Sequence, residues 1–203
     1  DWRNPETVEQ TKDIVRRCPG VSAHASLPCT KWSTWQNMSI HKFGEDYAKS
    51  LEQERLLSRA MLRDVLDLFD IILDHGGEVS FEWPNSCLGW LLPELIAFVV
   101  MHGLYVITVD GCSLGMINSA GEPILKRWRF VTSSKRLADG LSKYACAHPK
   151  GFQHGPIQGS DTLRTAEYPL PLCRRYLASL FGWYEFSPSM PCVPCAKGTP
   201  HHR

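Results

Sequence analysis

The sequence lacks an excess of charge of either sign. Its 22 Lys and Arg residues nearly balance 21 Asp and Glu residues, which leaves a formal net charge of +1. This balance excludes a protein that is held to nucleic acid by its overall charge, because such binding needs a broad positive field. A contact of that kind would have to come from a local patch such as Lys126, Arg127 and Arg129.

Long apolar runs and targeting segments are also missing. The longest candidate, residues 91–100, is interrupted by Pro93 and Glu94, whereas a membrane-spanning helix needs about 20 apolar residues. No secretory signal is recognisable. The sequence therefore predicts no membrane partner and an intracellular location, in the nucleus or the cytoplasm. It begins with Asp1 rather than Met and enters a helix start at once, which suggests a fragment or a processed segment.

Cysteine is too sparse for a disulfide scaffold. The eight cysteines are about 4% of the 203 residues, below the range of small disulfide-rich proteins. Several, such as Cys18 and Cys173, fall in or beside predicted helices rather than in a framework of loops. The cysteines are therefore available for reactive or metal-binding roles in a reducing compartment.

Helices and strands alternate along most of the chain. Asn4-Pro5-Glu6 is a helix start, and apolar residues at threes and fours predict a long helix over residues 45–75. Further helices are predicted after Pro93, after Ser133 or Ser134, and over residues 172–181. Runs rich in β-branched residues predict four strands, which cover residues 21–27, 78–82, 104–109 and 127–132.

This order predicts an α/β fold with a largely parallel sheet and helices on both faces. The last two strands have no helix between them, so we expect an antiparallel hairpin at the sheet edge. Residues 1–145 are predicted to form this domain, and residues 146–186 an irregular extension rich in Cys and His with one short helix. The tail, 187–203, is predicted to be disordered because it is rich in Pro, Cys and His.

Two reactive side chains follow neighbouring predicted strands. Cys29 follows the first strand and Glu82 ends the second. Ligands of open α/β sheets bind beyond the carboxyl ends of the strands, so both side chains are expected to face one crevice. Alternatively, Cys29 is a buried small apolar residue, and Glu82 takes part in a structural salt bridge.

Three short motifs resemble those of the C5-cytosine DNA methyltransferases. Residues 26–30, Ser-Leu-Pro-Cys-Thr, resemble the Pro-Cys motif of that family, and residues 81–83, Phe-Glu-Trp, stand in place of its Glu-Asn-Val motif. Residues 126–129, Lys-Arg-Trp-Arg, resemble its Gln-x-Arg-x-Arg motif. The resemblance covers roughly residues 1–135 and implies the second half of a Rossmann-like class I methyltransferase sheet. More loosely, the whole chain is similar to methyltransferase-like domains of retroelement polyproteins.

The resemblance implies methyl transfer from S-adenosylmethionine to C5 of a cytosine, more plausibly in DNA than in RNA. The Cys29 thiolate would attack C6 of a base flipped out of its duplex, and backbone amides near it would lower the thiol pKa. Glu82 would bind N3 and the amino group of the base, with Arg127 or Arg129 orienting it. The residues expected next to the cofactor are Asp1, Leu27 and Pro28.

A second hypothesis keeps the fold without the catalysis. The glycine-rich loop expected for the cofactor is absent, Thr30 replaces the Gln that follows Pro-Cys in the family, and Trp83-Pro84 replaces Asn-Val. The chain would then be a degenerate, nucleic-acid-binding or interaction module of a mobile-element polyprotein. The tryptophans are expected to pack in the core or at its rim rather than to stack on bases.

A separate cluster of Cys and His follows the predicted domain. Cys146, His148 and His154 have side chains that zinc prefers, and zinc often staples segments with little core of their own. They are the best three candidate ligands, with Cys192 and Cys195 further on. The alternatives are a loop whose His residues hydrogen-bond locally, or a zinc enzyme of another class. Residues 110–112, Asp-Gly-Cys, are predicted to form a turn.

Overall fold

The computed structural model describes residues 2–182. Its helices are α1 (Pro5–Arg17), α2 (Trp35–Asp74), α3 (Pro93–Met101), α4 (Lys135–Leu141), α5 (Ser160–Arg164) and α6 (Leu170–Phe181). Its strands are β1 (Ala23–Ala25), β2 (Val79–Pro84), β3 (Tyr105–Asp110) and β4 (Arg127–Thr132). Single 3₁₀ turns cover Thr30–Trp32, Leu88–Leu91, Gly111–Leu114 and Ser142–Tyr144.

The predicted helix starts are present. The Asn4 side chain accepts a hydrogen bond from the backbone N–H of Glu6 at 3.0 Å, and Pro5 is the first helical residue of α1. Ser134 caps α4 in the same way, accepting from the backbone N–H of Leu137. Each cap satisfies a backbone donor that the first helical turn leaves without a partner.

Helix α2 is longer than predicted because it begins before a break. It starts at Trp35, before the helix predicted over residues 45–75, and Gly44 interrupts it with φ 77° and ψ −159°. The predicted helix over residues 45–75 corresponds to the part after this break. Its stripe of buried residues, which includes Leu62, Phe69 and Ile72, packs on the sheet.

The fold is α/β with an open, mixed sheet of four strands in the order β1-β2-β4-β3. Strands β1 and β2 are parallel, and β4 runs antiparallel to both of its neighbours, β2 and β3. The expected antiparallel pair at the sheet edge is therefore present. The later strand, β4, lies inside and the earlier one, β3, forms the edge. Strand β1 has only three residues, shorter than the predicted strand over 21–27.

Helices cover both faces of the sheet. One core joins α1, α2 and α3 to the face of β2 that carries Phe81 and Trp83. The other joins α4 and α6 to the face that carries Trp128 and Phe130 of β4. Side chains alternate between these faces along each strand, so neighbouring residues of β2 and β4 serve different layers.

The predicted extension packs against the sheet on the same side as α4. Residues 145–159 form no helix or strand, and the short helix α5, which the sequence did not predict, follows them. The predicted helix over 172–181 is present as α6. Of the predicted extension, residues 183–186 lie outside the described residues, and so does the tail at 187–203 with Cys192 and Cys195.

Candidate functional site

The loop after β1 lies over the carboxyl end of β2. Strand β1 ends at Ala25, paired with Phe81 of β2. Two residues later, the carbonyl oxygen of Leu27 accepts a 2.7 Å hydrogen bond from the indole N–H of Trp83. Cys29 then begins the 3₁₀ turn, and its carbonyl oxygen accepts from the backbone N–H of Trp32 at 2.9 Å. The parallel pairing thereby brings Cys29 to the end of the sheet where Glu82 lies.

Glu82 is a buried carboxyl group with one oxygen bonded and the other free of protein donors. The residue is 3% exposed. Its Oε2 accepts hydrogen bonds from the hydroxyl of Ser26, at 2.9 Å, and from that of Tyr168. Its Oε1 is buried and has no hydrogen-bond partner among the described residues. Burial raises the pKa of Glu82 despite these two donors, because an ionised carboxylate is costly in a site with little water.

Cys29 has the opposite electrostatics to those predicted. Burial, and next the charge of Glu82, raise the pKa of its thiol. A backbone hydrogen bond and Lys126 act in the lowering direction but are the weaker influences. The predicted lowering by the backbone is present but is outweighed, so the thiol pKa is raised rather than lowered, because burial and a nearby carboxylate both disfavour the thiolate. The charge of Glu82 therefore acts on the Cys29 thiol at this end of the sheet.

Lys126 is the cation whose charge acts on both Cys29 and Glu82. Burial lowers the pKa of its ammonium group, while Glu82 and Cys29 act in the raising direction. Its Nζ donates to the backbone carbonyl of Thr165 and lies 5.6 Å from the ring centre of Trp128. Lys126 belongs to the basic motif at residues 126–129, in which Arg127 or Arg129 was expected to orient the base. Its position immediately before a strand whose side chains alternate was the available signal.

Arg127 and Arg129 are not brought to Glu82. In the antiparallel pairing of β2 with β4, Glu82 is opposite Phe130, and Trp83 is opposite Arg129. Directly paired residues share a face, so Arg127 and Arg129 project from the face opposite to Glu82. The Nε of Arg129 donates to Asn85 at 3.1 Å, and its guanidinium group lies over the Trp90 ring. The register therefore places neither arginine beside the Glu82 carboxyl group.

Aromatic residues pack on both faces of the sheet near Glu82. Trp83 and Trp90 are buried and pack edge to face with ring centres 5.9 Å apart, as expected of core tryptophans. On the other face, a cavity of about 250 Å³ adjoins the hydroxyl of Tyr168 that binds Glu82. Its walls are mostly apolar and aromatic: His24, Phe130, Tyr168, Leu172, Cys173 and Tyr176. Flat, apolar walls of this kind suit a planar ring.

A second group of reactive side chains lies at the carboxyl end of β3. Cys112, Cys146, His148 and His154 each offer one ligand atom, and these atoms all lie within 4.8 Å of one another. The Sγ of Cys146 is 3.3 Å from Nδ1 of His148 and 3.5 Å from Nε2 of His154. The cluster could hold a metal ion. Sequence analysis found three of its members and missed Cys112, which it assigned to a turn.

Asp110 forms the hydrogen bond that positions Cys146 of this cluster. Its carboxylate is 1% exposed, binds Arg127 through two hydrogen bonds of 2.6 and 3.0 Å, and accepts the backbone N–H of Cys146 at 2.8 Å. Burial by itself would raise the pKa of Asp110, but the hydrogen bonds from Arg127 and Cys146 outweigh it and lower the pKa. Arg127 therefore serves the Cys and His cluster rather than the Cys29 pocket.

The residues expected to bind S-adenosylmethionine give little support for that site. Asp1 lies outside the described residues. Pro28 is exposed and has no N–H to donate, and the carbonyl of Leu27 is already bonded to Trp83. These two described residues do not make a set of donors that fits the cofactor.

No family model, curated protein or solved structure matches the chain. Within residues 2–182, no helix combines the length and the apolar character that crossing a membrane requires.

Proposed function

We propose that this chain is the base-binding and nucleophile part of a nucleic-acid methyltransferase of the C5-cytosine type. The observation that carries the proposal is that Cys29 and Glu82 lie near the carboxyl ends of two neighbouring parallel strands, where the charge of Glu82 raises the pKa of the Cys29 thiol. The proposal places both side chains in one pocket. The antiparallel β3–β4 pair that follows is the ending that the resemblance to Rossmann-like class I methyltransferases implies. The preferred substrate is cytosine in DNA, flipped out of its duplex.

In this proposal Glu82 binds the polar edge of the base. Its raised pKa favours the protonated carboxyl group, which can donate a hydrogen bond to N3 of cytosine. The free Oε1 is then available to accept from the exocyclic amino group. A buried polar atom without a partner is costly, so a base that supplies this hydrogen bond would be favoured.

Cys29 is the nucleophile and Lys126 the neighbouring cation. Attack of the sulfur on C6 forms the S–C6 bond and breaks the C5–C6 π bond. The electron pair moves to C5 and is delocalised through C4 to N3, which accepts the hydrogen bond from Glu82, and the thiol proton is released to solvent. Burial and Glu82 raise the thiol pKa, whereas the backbone hydrogen bond at Cys29 and the positive charge of Lys126 act in the direction that favours the thiolate. Entry of the base also requires Tyr168 to leave Glu82.

The methyl donor of such a reaction is S-adenosylmethionine. Because Leu27 and Pro28 do not form a binding site for it, no step through the cofactor is assigned to these residues. The chemistry proposed for this chain is binding of the base and addition of the thiol.

The second candidate is a nucleic-acid-binding or interaction module without catalysis, as in a mobile-element polyprotein. The contact of Tyr168 with Glu82 favours it, because that contact closes the polar end of the pocket. It is favoured too by the raised thiol pKa of Cys29.

An addition that needs no methyl donor separates the two functions. The chain is incubated with duplex DNA that carries one unpaired 5-azacytosine, whose ring nitrogen makes C6 more electrophilic. The thiol adds across the C6–N5 double bond, sulfur to C6 and hydrogen to N5, with no leaving group. We expect a protein–DNA adduct that survives denaturation, seen by intact mass.

The variants define the residues involved. Cys29→Ser should abolish the adduct, and Lys126→Met should slow its formation at least tenfold. Arg129→Met, in the adjacent strand but on the opposite face, should leave the rate within twofold. Binding of the DNA without any adduct, from a protein with an unchanged circular dichroism spectrum, would favour the binding module.

We also propose zinc as the ion for the cluster of Cys112, Cys146, His148 and His154. Two thiolates and two imidazoles are a donor set that tetrahedral structural zinc sites use, and soft sulfur ligands disfavour magnesium and calcium. The ring of His148 stacks on Phe152 with centres 4.0 Å apart, which orients one ligand before any ion binds. Elemental analysis of protein prepared with zinc should find one bound ion at this cluster.

A further inference from the structure

We infer that the metal site is a structural clamp that fastens the extension to the sheet and thereby holds Tyr168 over Glu82. The inference rests on the proposed zinc site and is independent of the thiol chemistry of Cys29. It assigns the cluster a mechanical role rather than a catalytic one.

The extension has little apolar burial to hold it in place. Between Leu141 and Leu172 the fully buried side chains are Asp161 and Thr165, and both are polar. Half-buried Tyr144 and Tyr168 add some packing against the core. Ordering a chain segment costs about 1–2 kcal/mol for each residue's backbone, so residues 145–159, without helix or strand, need another source of stability.

The ligands of the cluster come from two separate parts of the fold. Cys112 lies in the turn that ends β3, a strand of the sheet, whereas Cys146, His148 and His154 lie in the irregular segment. An ion bound by all four therefore cross-links the segment to the sheet. Metal binding of this kind contributes directly to folding when the site does not exist in the unfolded chain.

All four ligands are half-buried and therefore reachable by an ion. The support beneath them is rigid, since Asp110 binds both the backbone of Cys146 and the guanidinium of Arg127. The hydroxyl of Ser113 adds a 2.7 Å bond to the carbonyl of Tyr144. Structural metal sites depend on such outer contacts, which fix where the ligands lie.

The clamped segment leads directly to the cover of the Glu82 pocket. After His154, the N–H of Gly155 donates to the carbonyl of Pro123 at 2.8 Å. The chain then reaches Thr165, whose carbonyl binds Lys126, and Tyr168, whose hydroxyl binds Glu82. Release of the segment at the cluster would weaken these last two contacts, so metal loss is expected to open the pocket.

Zinc content and amide exchange together test the clamp. The full chain is prepared with zinc, and the zinc is then removed from half of the sample with a chelator. We expect one zinc per chain and at least tenfold faster hydrogen exchange over residues 145–168 after stripping. Exchange in residues 62–72 of α2 should not change. Alkylation of Cys29 by iodoacetamide, followed on its peptide, should also become at least threefold faster.

Two variants complete the test. Cys112→Ser should lose the zinc and show the fast exchange without any chelator. Cys18→Ser, an exposed cysteine outside both the cluster and the extension, should keep both the zinc and the protection. Bound zinc whose removal leaves exchange unchanged would overturn the clamp but not the metal site, and retention of zinc by Cys112→Ser would overturn the four-ligand cluster.

Discussion

Two cysteines at the same end of the sheet have different neighbours. Cys29 follows β1, and the charges of Glu82 and Lys126 act in opposite directions on the pKa of its thiol. Cys146 lies beside a second thiol and two imidazoles, all with converging ligand atoms. Burial and a carboxylate keep the first thiol protonated, whereas neutral nitrogen and sulfur donors suit a soft cation in the second.

The comparison shows that the same residue type is directed to different chemistry by what faces it. A single thiol next to a hydrogen-bonding carboxyl group can attack a bound base but cannot coordinate an ion tetrahedrally. Four donors within 4.8 Å can coordinate an ion but leave no thiol free to react. The buried thiol of Cys87, whose pKa burial raises to about 12, illustrates a third, inert case.

Removing the metal should lower the stability of the protein more than any of the substitutions below. At zinc concentrations 1,000-fold above Kd, binding to the folded state stabilises it by about 4 kcal/mol. For a chain of this size that corresponds to about 10 °C in Tm. Differential scanning calorimetry with and without a chelator measures the shift. The same chelator should leave the Tm of Cys112→Ser unchanged, and an equal shift in that variant would contradict the assignment.

Asp110→Asn should come next. The change leaves Arg127 without its buried partner and removes a charged acceptor from the Cys146 amide. Breaking a buried pair costs about 3–5 kcal/mol, and because Arg127 is half exposed we expect about 2 kcal/mol. Urea denaturation measures it. Asp139→Asn, which affects only the exposed pair with Lys135, is the matched control and should change stability by less than about 0.5 kcal/mol.

Tyr168→Phe should destabilise the protein by about 1.5 kcal/mol, because it removes the hydroxyl that donates to a buried carboxyl group. The same variant uncovers Glu82, so the 5-azacytosine adduct should form faster. Tyr176→Phe, which removes a hydroxyl bonded to Ser80 on the same face, is the control for stability alone. A slower adduct in Tyr168→Phe would mean that Tyr168 assists the base rather than covering the pocket.

Glu82→Gln should change the free energy of unfolding least, and it should raise it rather than lower it. The folded-state pKa of Glu82 is above its ordinary value of 4.5, so its contribution to stability is complete below about pH 4.5. That contribution is lost as the pH rises through the folded-state pKa. The variant cannot ionise, so at pH 7 it should be more stable than the parent by about 1 kcal/mol. Denaturation at pH 4 and pH 7 should show the difference growing with pH; a constant difference would contradict burial as the cause.

Periodicity predicted most of the fold because it depends on local patterns. The caps at Asn4 and Ser134 and the apolar stripe after Gly44 are all visible within a few residues of sequence. The part of α2 before Gly44 was missed because its apolar residues Trp35, Met38 and Phe43 are exposed and form no buried stripe.

The sites were predicted less completely because they are assembled across the chain. The placement of Cys29 and Glu82 near the ends of two neighbouring strands could be predicted, since those strands pair in parallel. Cys112 was missed because it joins Cys146 only through the β3–β4 pairing and the bond from Asp110. Arg127 and Arg129 were expected beside Glu82 but lie on the opposite face of the sheet. The face on which a strand residue lies depends on the pairing register, which the sequence alone does not determine.

The most direct test of the shared pocket is the titration of the Cys29 thiol with and without the carboxylate. The rate of Cys29 alkylation is measured against pH on its tryptic peptide, in the parent chain and in Glu82→Gln. The charge of Glu82 raises the pKa of Cys29, so the alkylation midpoint should move to lower pH in the variant, while that of exposed Cys18 stays the same. An unchanged midpoint for Cys29 would contradict a pocket shared by the thiol and the carboxyl group.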